Sequence, residues 1–210
     1  MHIAVAGNIG SGKTTLTKLL SKHFNWIPQY EDIDTNPYLA SFYEDMQRWS
    51  FNLQVFFLNE RFKHIIEIRN KKKKSVIQDR TIYEDAYIFA PNLHDMGLMS
   101  NRDYTNYITL FELIDSFIQP PELLIYLKAD VSTLVSQIQK RGRPYEDLIR
   151  LDYLKNLNER YNAWAESYNK GKMLVIDVDE NKFSENKDHL GIIIENINAE
   201  LFGLFNEDSK

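Results

Sequence analysis

Two rhythms of apolar residues alternate along this chain. Short, nearly continuous apolar runs occur at 2–6 (HIAVA), 75–79 (SVIQD), 122–127 (ELLIYL) and 173–178 (MLVIDV). Runs of that length and composition predict buried strands. Between them the apolar positions recur every three or four residues, as at Leu16, Leu19, Leu20 and Phe24, then at Trp49, Leu53, Phe56, Phe57, Phe62, Ile65 and Ile66. A period near 3.6 stacks such positions on one face of a helix. The stretch from 36 to about 70 contains no Gly, and Pro37 stands near its start, so it predicts two helices, the second long. Trp26–Tyr30 predicts one more strand, and Leu190, Ile193, Ile194, Ile197 and Leu201 predict a closing helix. Strands alternating with helices predict an α/β fold: a parallel five-stranded sheet with helices on both faces.

Between the first predicted strand and the first predicted helix lies Gly7-Asn8-Ile9-Gly10-Ser11-Gly12-Lys13-Thr14, which satisfies G-x-x-x-x-G-K-[ST] in the strand-to-helix context that gives the pattern meaning. The glycines let backbone N–H groups turn inward around phosphate oxygens, and the helix N-terminus adds partial positive charge. Lys13 is spaced to reach the outer phosphates and Thr14 to ligate Mg²⁺, with Thr15 the adjacent, less favoured hydroxyl. The fold is therefore expected to be of the P-loop NTPase type, binding ATP and Mg²⁺.

Composition narrows the remaining choices. The 210 residues are expected to form a single domain, 1–210, and an apolar fraction of 43% with 26% charged residues is ordinary for a globular protein. Zero Cys excludes disulfides and thiolate metal sites, leaving oxygen and nitrogen groups to do the chemistry. A net charge of −5 argues against a long nucleic acid as partner. Neither a membrane-length apolar run nor a leader is visible, so a cytoplasmic protein without a membrane partner is expected. The basic run Lys71–Lys74 reads as a solvated loop.

Phosphate binding alone does not select a reaction. The chain has no N-K-x-D guanine signature and no L-S-G-G-Q stretch, but it carries an Arg-rich segment at 139–146 (QKRGRPYE) between two helical patterns. Such basic lids, here spanning about 139–148, bring cations to a transferring phosphoryl group and exclude water.

Five segments in order, GNIGSGKTT, YEDIDTNPYL, RWSFNLQVFFLNERF, QDRTIYEDAYIFA and KRGRPYE, give the chain its resemblance to the deoxynucleoside kinase family, in particular to bacterial purine-type members. The similarity runs from His2 to about Asp177; the loop at 91–101 and the acidic tail carry no motif. The resemblance implies phosphorylation of the 5′-hydroxyl of a deoxynucleoside by ATP with Mg²⁺, in nucleotide salvage. By the same resemblance Glu31 is the base that takes the 5′-hydroxyl proton, Asp79 approaches the metal with Thr14, and Arg80 holds the 5′-oxygen. Gln54 pairs with the base, Asp85 lies near it, Trp49 and Phe89 line the pocket, and Tyr43 and Glu146 hold the sugar 3′-hydroxyl. Arg141 and Arg143 contact phosphate. The acid at 79 is Asp where many relatives have Glu. Position 86 is Ala where several carry Arg, and Glu84 beside it receives no role.

Two other readings compete. A nucleoside monophosphate kinase would need a further cationic site for the acceptor phosphate, for which Arg80, Arg48 and Arg61 are candidates. A non-catalytic nucleotide-binding subunit would need neither Glu31 nor Asp79. The helical patterns at 45–70 and 104–118 could pair two copies as a homodimer or simply be core.

Overall fold

The computed structural model describes residues 1–31, 33, 35–70 and 74–203. Lys71–Lys73 of the basic run, Asp32, Asp34 and the tail from 204 lie outside the described residues. Five strands, β1 (His2–Gly7), β2 (Ile27–Gln29), β3 (Val76–Asp79), β4 (Leu123–Lys128) and β5 (Lys172–Asp177), form one sheet in the order β2-β3-β1-β4-β5. Every pairing is parallel. The edge strand β2 is shorter than the expected Trp26–Tyr30. It contains Pro28, which has no N–H for a ladder and is tolerated at a sheet edge.

Among the described residues the helices are α1 (Lys13–Phe24), α2 (Leu39–Glu44), α3 (Met46–Asn70), α4 (Ile82–Glu84), α5 (Ala90–Asp95), α6 (Asn101–Asp115), α7 (Val131–Arg141), α8 (Leu151–Ser167) and α9 (Lys187–Phe202). Strand alternation sorts them onto two faces. Ile3 and Val5 of β1 pack with Leu16 and Leu20 of α1, Leu134 and Ile138 of α7, and Ile193 and Ile197 of α9. Ala4 and Ala6 point the other way, and their small side chains admit Trp164 of α8 close to the sheet. The long α3 is apolar on more than one side because it serves two clusters. Leu53 joins the one with α2 and α8, and Leu58 and Ile65 join the one with α6.

Two local features set up the cleft. Strand β1 lies between β3 and β4, and Val5 faces Asp79 across the ladder. The turns after β1 and β3 therefore emerge side by side at the carboxyl edge, in the crevice where open parallel sheets bind ligands. Second, α4 runs through a π-helical turn, Asp85–Phe89, into α5. That wider turn sends Asp85 and Phe89 into the cleft while Ala86 and Ala90 pack with Leu58, Tyr107 and Phe111.

Candidate active site

The turn after β1 is built to receive an anion. Helix α1 starts from Gly12 at φ 93°, with no side-chain cap and no acidic residue in its first turn, so its first N–H groups are unclaimed by side chains. Gly10 sits at φ +86°, and a Cβ there would lie 2.7 Å from the Leu134 carbonyl oxygen. Only glycine fits that close approach. Lys13 is buried and curls back over the loop, donating to the carbonyls of Gly7 (2.8 Å) and Asn8 (2.9 Å). Burial first, and the nearby Arg80 second, push its ammonium down to about 7. The Asp79, Glu84 and Glu31 carboxylates act the other way without offsetting burial, and an anion placed beside the ammonium would favour its charged form further.

The other loop residues divide. Ile9, Gly10, Lys13 and Thr14 line the cleft. The Asn8 amide instead turns towards α8, donating to Leu154 O and Asn158 Oδ1, both at 3.2 Å, and so ties the loop to that helix. Ser11 is buried, and Thr15 is exposed away from the cleft. The Thr14 hydroxyl donates to Asp79 Oδ2 at 2.5 Å, while Asp79 Oδ1 is buried with no hydrogen-bond partner among the described residues. Burial pushes the Asp79 carboxyl upward. A hydroxyl and an under-used carboxylate beside a phosphate seat are the oxygen donors that suit Mg²⁺, which keeps several waters and takes phosphate oxygens as further ligands.

Next to this pair stands a cluster of buried charges. Glu31, just beyond β2, accepts from Arg61 at 2.7 Å and lies 3.6 Å from Arg80 Nε. Arg61 also binds Asp85 through Nε, with a second contact at 3.4 Å. Burial opposes the charge on Glu31, but Arg80 and then Arg61 outweigh it and hold the carboxyl at about 2. Asp85 is pushed up to about 6 by burial in spite of Arg61. Arg80 adopts φ +69°, unusual for a residue with a Cβ, with its N–H bonded to Val5 O at 2.9 Å. This conformation lays its guanidinium over the Phe89 ring at 4.5 Å, and its Nε has no hydrogen-bond partner among the described residues. Burial works against that charge, and Tyr161, Glu31 and Glu84 keep it protonated.

The phosphate loop, the buried charge cluster and the wall around Gln54 line one concave cleft. Away from the phosphate loop it is lined by Leu53, Gln54, Phe57, Asp85 and Phe89, and Gln54 Oε1 is buried without a hydrogen-bond partner among the described residues. An unsatisfied amide oxygen on an apolar wall fits a ligand N–H donor. At the other rim Tyr43 stacks with Tyr145 at 6.0 Å, and burial followed by Glu146 raises its phenol. Glu146 is buried where Pro144–Leu148 forms a 3₁₀ turn, and it receives Arg141 through Nε at 3.0 Å, with Arg143 3.7 Å away. The Arg-rich segment thus folds onto the cleft, both arginines directed at one carboxylate.

Trp49 is a correction to the sequence reading. It does not line the cleft; one turn before Leu53 it packs beside Tyr38 at 5.8 Å, under the Arg48 guanidinium at 4.4 Å. The wall expected from it comes from Leu53, Phe57 and Tyr153. Of the three cations considered for an acceptor phosphate, Arg48 is exposed outside the cleft and Arg61 is ion-paired with two carboxylates, while Arg80 lines the cleft with its Nε unbonded among the described residues. The sequence reading also missed the role of Arg61 as the hub of the charge cluster. Gln54, Phe57 and Arg61 fall at i, i+3 and i+7, so a lone charge on a cleft-facing stripe was the available signal. Glu84 carried no comparable signal, and it lies beneath the phosphate loop rather than in the pocket.

The family model for deoxynucleoside kinases matches residues 3–202 of this chain. The chain is 38% identical to the deoxyadenosine/deoxycytidine kinase of Bacillus subtilis over 93% of its own length and 90% of that protein. It is 36% identical to the deoxyguanosine kinase of Lactobacillus acidophilus over 93% of its length and 88% of that protein. A solved structure of deoxyadenosine kinase from M. mycoides with bound dATP superposes with a TM-score of 0.84 at 28% identity, covering 94% of this chain and all of that one.

Proposed function

This chain belongs to the deoxynucleoside kinase family, and from that premise we propose that its cleft transfers the γ-phosphoryl group of ATP to the 5′-hydroxyl of a purine deoxynucleoside, deoxyadenosine or deoxyguanosine. The observation that carries this reading is one continuous cleft with the phosphate loop at one end, the unsatisfied Gln54 amide at the other, and Glu31 with Arg80 between them.

Phosphate oxygens of ATP sit on the N–H groups of Gly10–Thr14, and Lys13 leaves its two carbonyls for them. Thr14 and Asp79 would hold Mg²⁺, which would supply neutralisation of the charge on the transferring phosphate. Gln54 accepts from and donates to the base edge, Phe89 and Phe57 flank the ring, and Tyr43 with Glu146 receives the 3′-hydroxyl. The 5′-hydroxyl donates to Glu31 and its oxygen meets Arg80. The O5′–Pγ bond forms as the bond from Pγ to the β-bridging oxygen breaks, ADP departs, and the hydroxyl proton passes to Glu31 and then to solvent.

A carboxylate held at about 2 is a weak base. In a loose phosphoryl-transfer transition state the attacking oxygen keeps its proton until late, so Glu31 contributes mainly by aiming the hydroxyl. Arg80, desolvated and under-bonded, is a pre-placed donor for the charge that develops. Arg141 and Arg143 close the segment at about 139–148 as a lid, exchanging contacts with Glu146 for contacts with phosphate. The neutralised Arg61 leaves the acceptor end suited to a nucleoside rather than its monophosphate. A purely regulatory nucleotide-binding subunit would have no use for the Glu31–Arg80 pair.

The reaction belongs in the cytoplasm, where ATP is supplied, and no described helix is long and apolar enough to cross a membrane. Ile66 of α3 with Leu110, Leu113 and Phe117 on and after α6 leave apolar surface exposed, Leu113 at 60% and Phe117 at 64%. We assign that surface to a homodimer, and Leu113→Glu should convert a dimer to a monomer in sedimentation velocity. The primary test measures ADP release with ATP and Mg²⁺ against each of the four deoxynucleosides, native and Glu31→Gln side by side. Purine-dependent turnover that falls in the variant supports the reading, and turnover confined to monophosphate acceptors overturns it.

A further inference from the structure

Glu84 is wholly buried, yet no arginine or lysine side chain is hydrogen-bonded to it among the described residues. Part of its environment is ordinary. With Thr81 it forms a capping box at the start of α4, accepting from Thr81 N–H at 2.7 Å and from the Thr81 hydroxyl at 3.2 Å, both through Oε2. A capping box needs no more than that and is satisfied at a protein surface. Here the second oxygen reaches beyond the helix: Oε1 accepts from the Gly7 N–H at 3.2 Å and from the Tyr161 hydroxyl at 2.9 Å. Burying a carboxylate is costly unless every lone pair is used, and this one is fully used.

The placement explains what the burial achieves. Gly7 is the last residue of β1 and the first of the phosphate loop, and Thr81 directly follows Arg80 in its left-handed conformation. Tyr161 stacks on Tyr126 of β4 at 6.0 Å and meets Phe89 edge-on at 6.2 Å. One side chain therefore joins the start of the phosphate seat, the turn that aims Arg80, and the helix behind the Phe89 wall. Resting on the kinase reading above, we propose that Glu84 is a positioning residue, which fixes the phosphate loop against the Arg80 turn and so aligns the donor phosphate with the 5′-oxygen.

The chemistry makes the role specific to a carboxylate. Two of the four partners, the Thr81 and Gly7 N–H groups, can only donate, and they lie on opposite oxygens of the carboxylate; a glutamine in the same place offers one accepting atom, so its amide nitrogen must face one of these two N–H groups. One of the two connections must then break. A loss of alignment of about 1 Å at a reacting pair lowers rate by on the order of 100-fold, and a loosened phosphate loop weakens ATP binding as well.

The experiment compares native and Glu84→Gln protein by steady-state rates with varied ATP. It also measures the dissociation constant of the deoxynucleoside without ATP and that of ATP without nucleoside, with thermal unfolding as a check on folding. The expected result is a kcat lower by roughly 10- to 100-fold with the deoxynucleoside constant changed less than about twofold. A native kcat in the folded variant, or a loss confined to nucleoside affinity, overturns the assignment. If Glu84→Gln does not fold, Tyr161→Phe and Thr81→Ala decide: each removes one donor and keeps the carboxylate, and each should lower kcat several-fold at constant nucleoside affinity. Native kcat in both overturns the proposal. If the native protein turns over no deoxynucleoside, the kinase reading fails; unaltered ATP affinity in Glu84→Gln would then overturn the loop assignment as well.

Discussion

Replacing Arg61 with methionine removes the cation that two buried carboxylates share, and the structure sets the size of the effect. The Glu31 carboxyl is displaced from 4.5 to about 2 by Arg80 and Arg61 together, and at about 1.4 kcal/mol per unit that displacement represents roughly 3 kcal/mol at neutral pH. Because the folded value is depressed, this contribution is present above about pH 4.5 and is lost as the pH falls towards 2. Arg80 remains in the variant, 3.6 Å from Glu31, and retains part of it. Asp85 fares worse: its carboxyl stands at about 6 even with Arg61 present, and it loses both contacts to that guanidinium. Leaving a buried charge without its partner costs about 3–5 kcal/mol. In the variant the Asp85 carboxyl rises further and takes up a proton as the pH is lowered. A group whose folded value is raised contributes stability at low pH that is lost as the pH increases, so the penalty of Arg61→Met should be largest under alkaline conditions. Urea unfolding of both proteins at pH 8 and pH 5.5 measures this. The expected loss is about 3–5 kcal/mol at pH 8 and clearly smaller at pH 5.5. A loss below about 1 kcal/mol at pH 8, or one equal at both pH values, would show that Arg61 does not carry the charge balance of the cleft.

Three further outcomes follow from the same geometry. Gly10→Ala places a Cβ 2.7 Å from the Leu134 carbonyl at a φ of +86°, so ATP affinity should fall by about 10-fold or more by calorimetry while the nucleoside constant holds; unchanged ATP affinity contradicts the loop geometry. Gln54→Leu removes the unsatisfied amide that faces the cleft, and kcat/KM for the deoxynucleoside should drop by roughly 10- to 1000-fold with KM for ATP little altered; equal kcat/KM in the two proteins shows that Gln54 does not read the base. Carbon-13 NMR of the Glu31 side chain should show no titration from pH 7 down to about 4, since the carboxyl is held at about 2; a midpoint in the ordinary glutamate range means that the arginines do not act on it as the distances imply.

Much of this protein is legible in the order of its residues. The five apolar runs give five parallel strands, and the 3.6-residue spacing at Leu16, Leu20, Leu53 and Ile197 marks helix faces that are buried. The phosphate loop is legible for the same reason: its glycines, Lys13 and Thr14 act on backbone and neighbours within a few positions, so their spacing is the geometry. The strand ending at Asp79 and the basic segment at 139–146 are likewise visible as local patterns.

What only the tertiary structure decided concerns partners distant along the chain and the rotation of side chains around helix axes. Thr14 meets Asp79 because β3 pairs with β1, a consequence of sheet order that no local pattern contains. Trp49 and Phe57 share the aromatic spacing of α3, yet the packing of Tyr38 and Arg48 takes one ring out of the cleft and leaves the other in it. Arg61 looks like a free cation until Glu31 and Asp85 close on it. Glu84 has no role in the sequence reading, and only the fold brings Gly7 and Tyr161, each 77 positions away, to its second oxygen. Periodicity and turn chemistry are short-range and are written in neighbouring residues; the pairing of buried charges is long-range, and its sign and strength exist only once the fold has brought the groups together out of water.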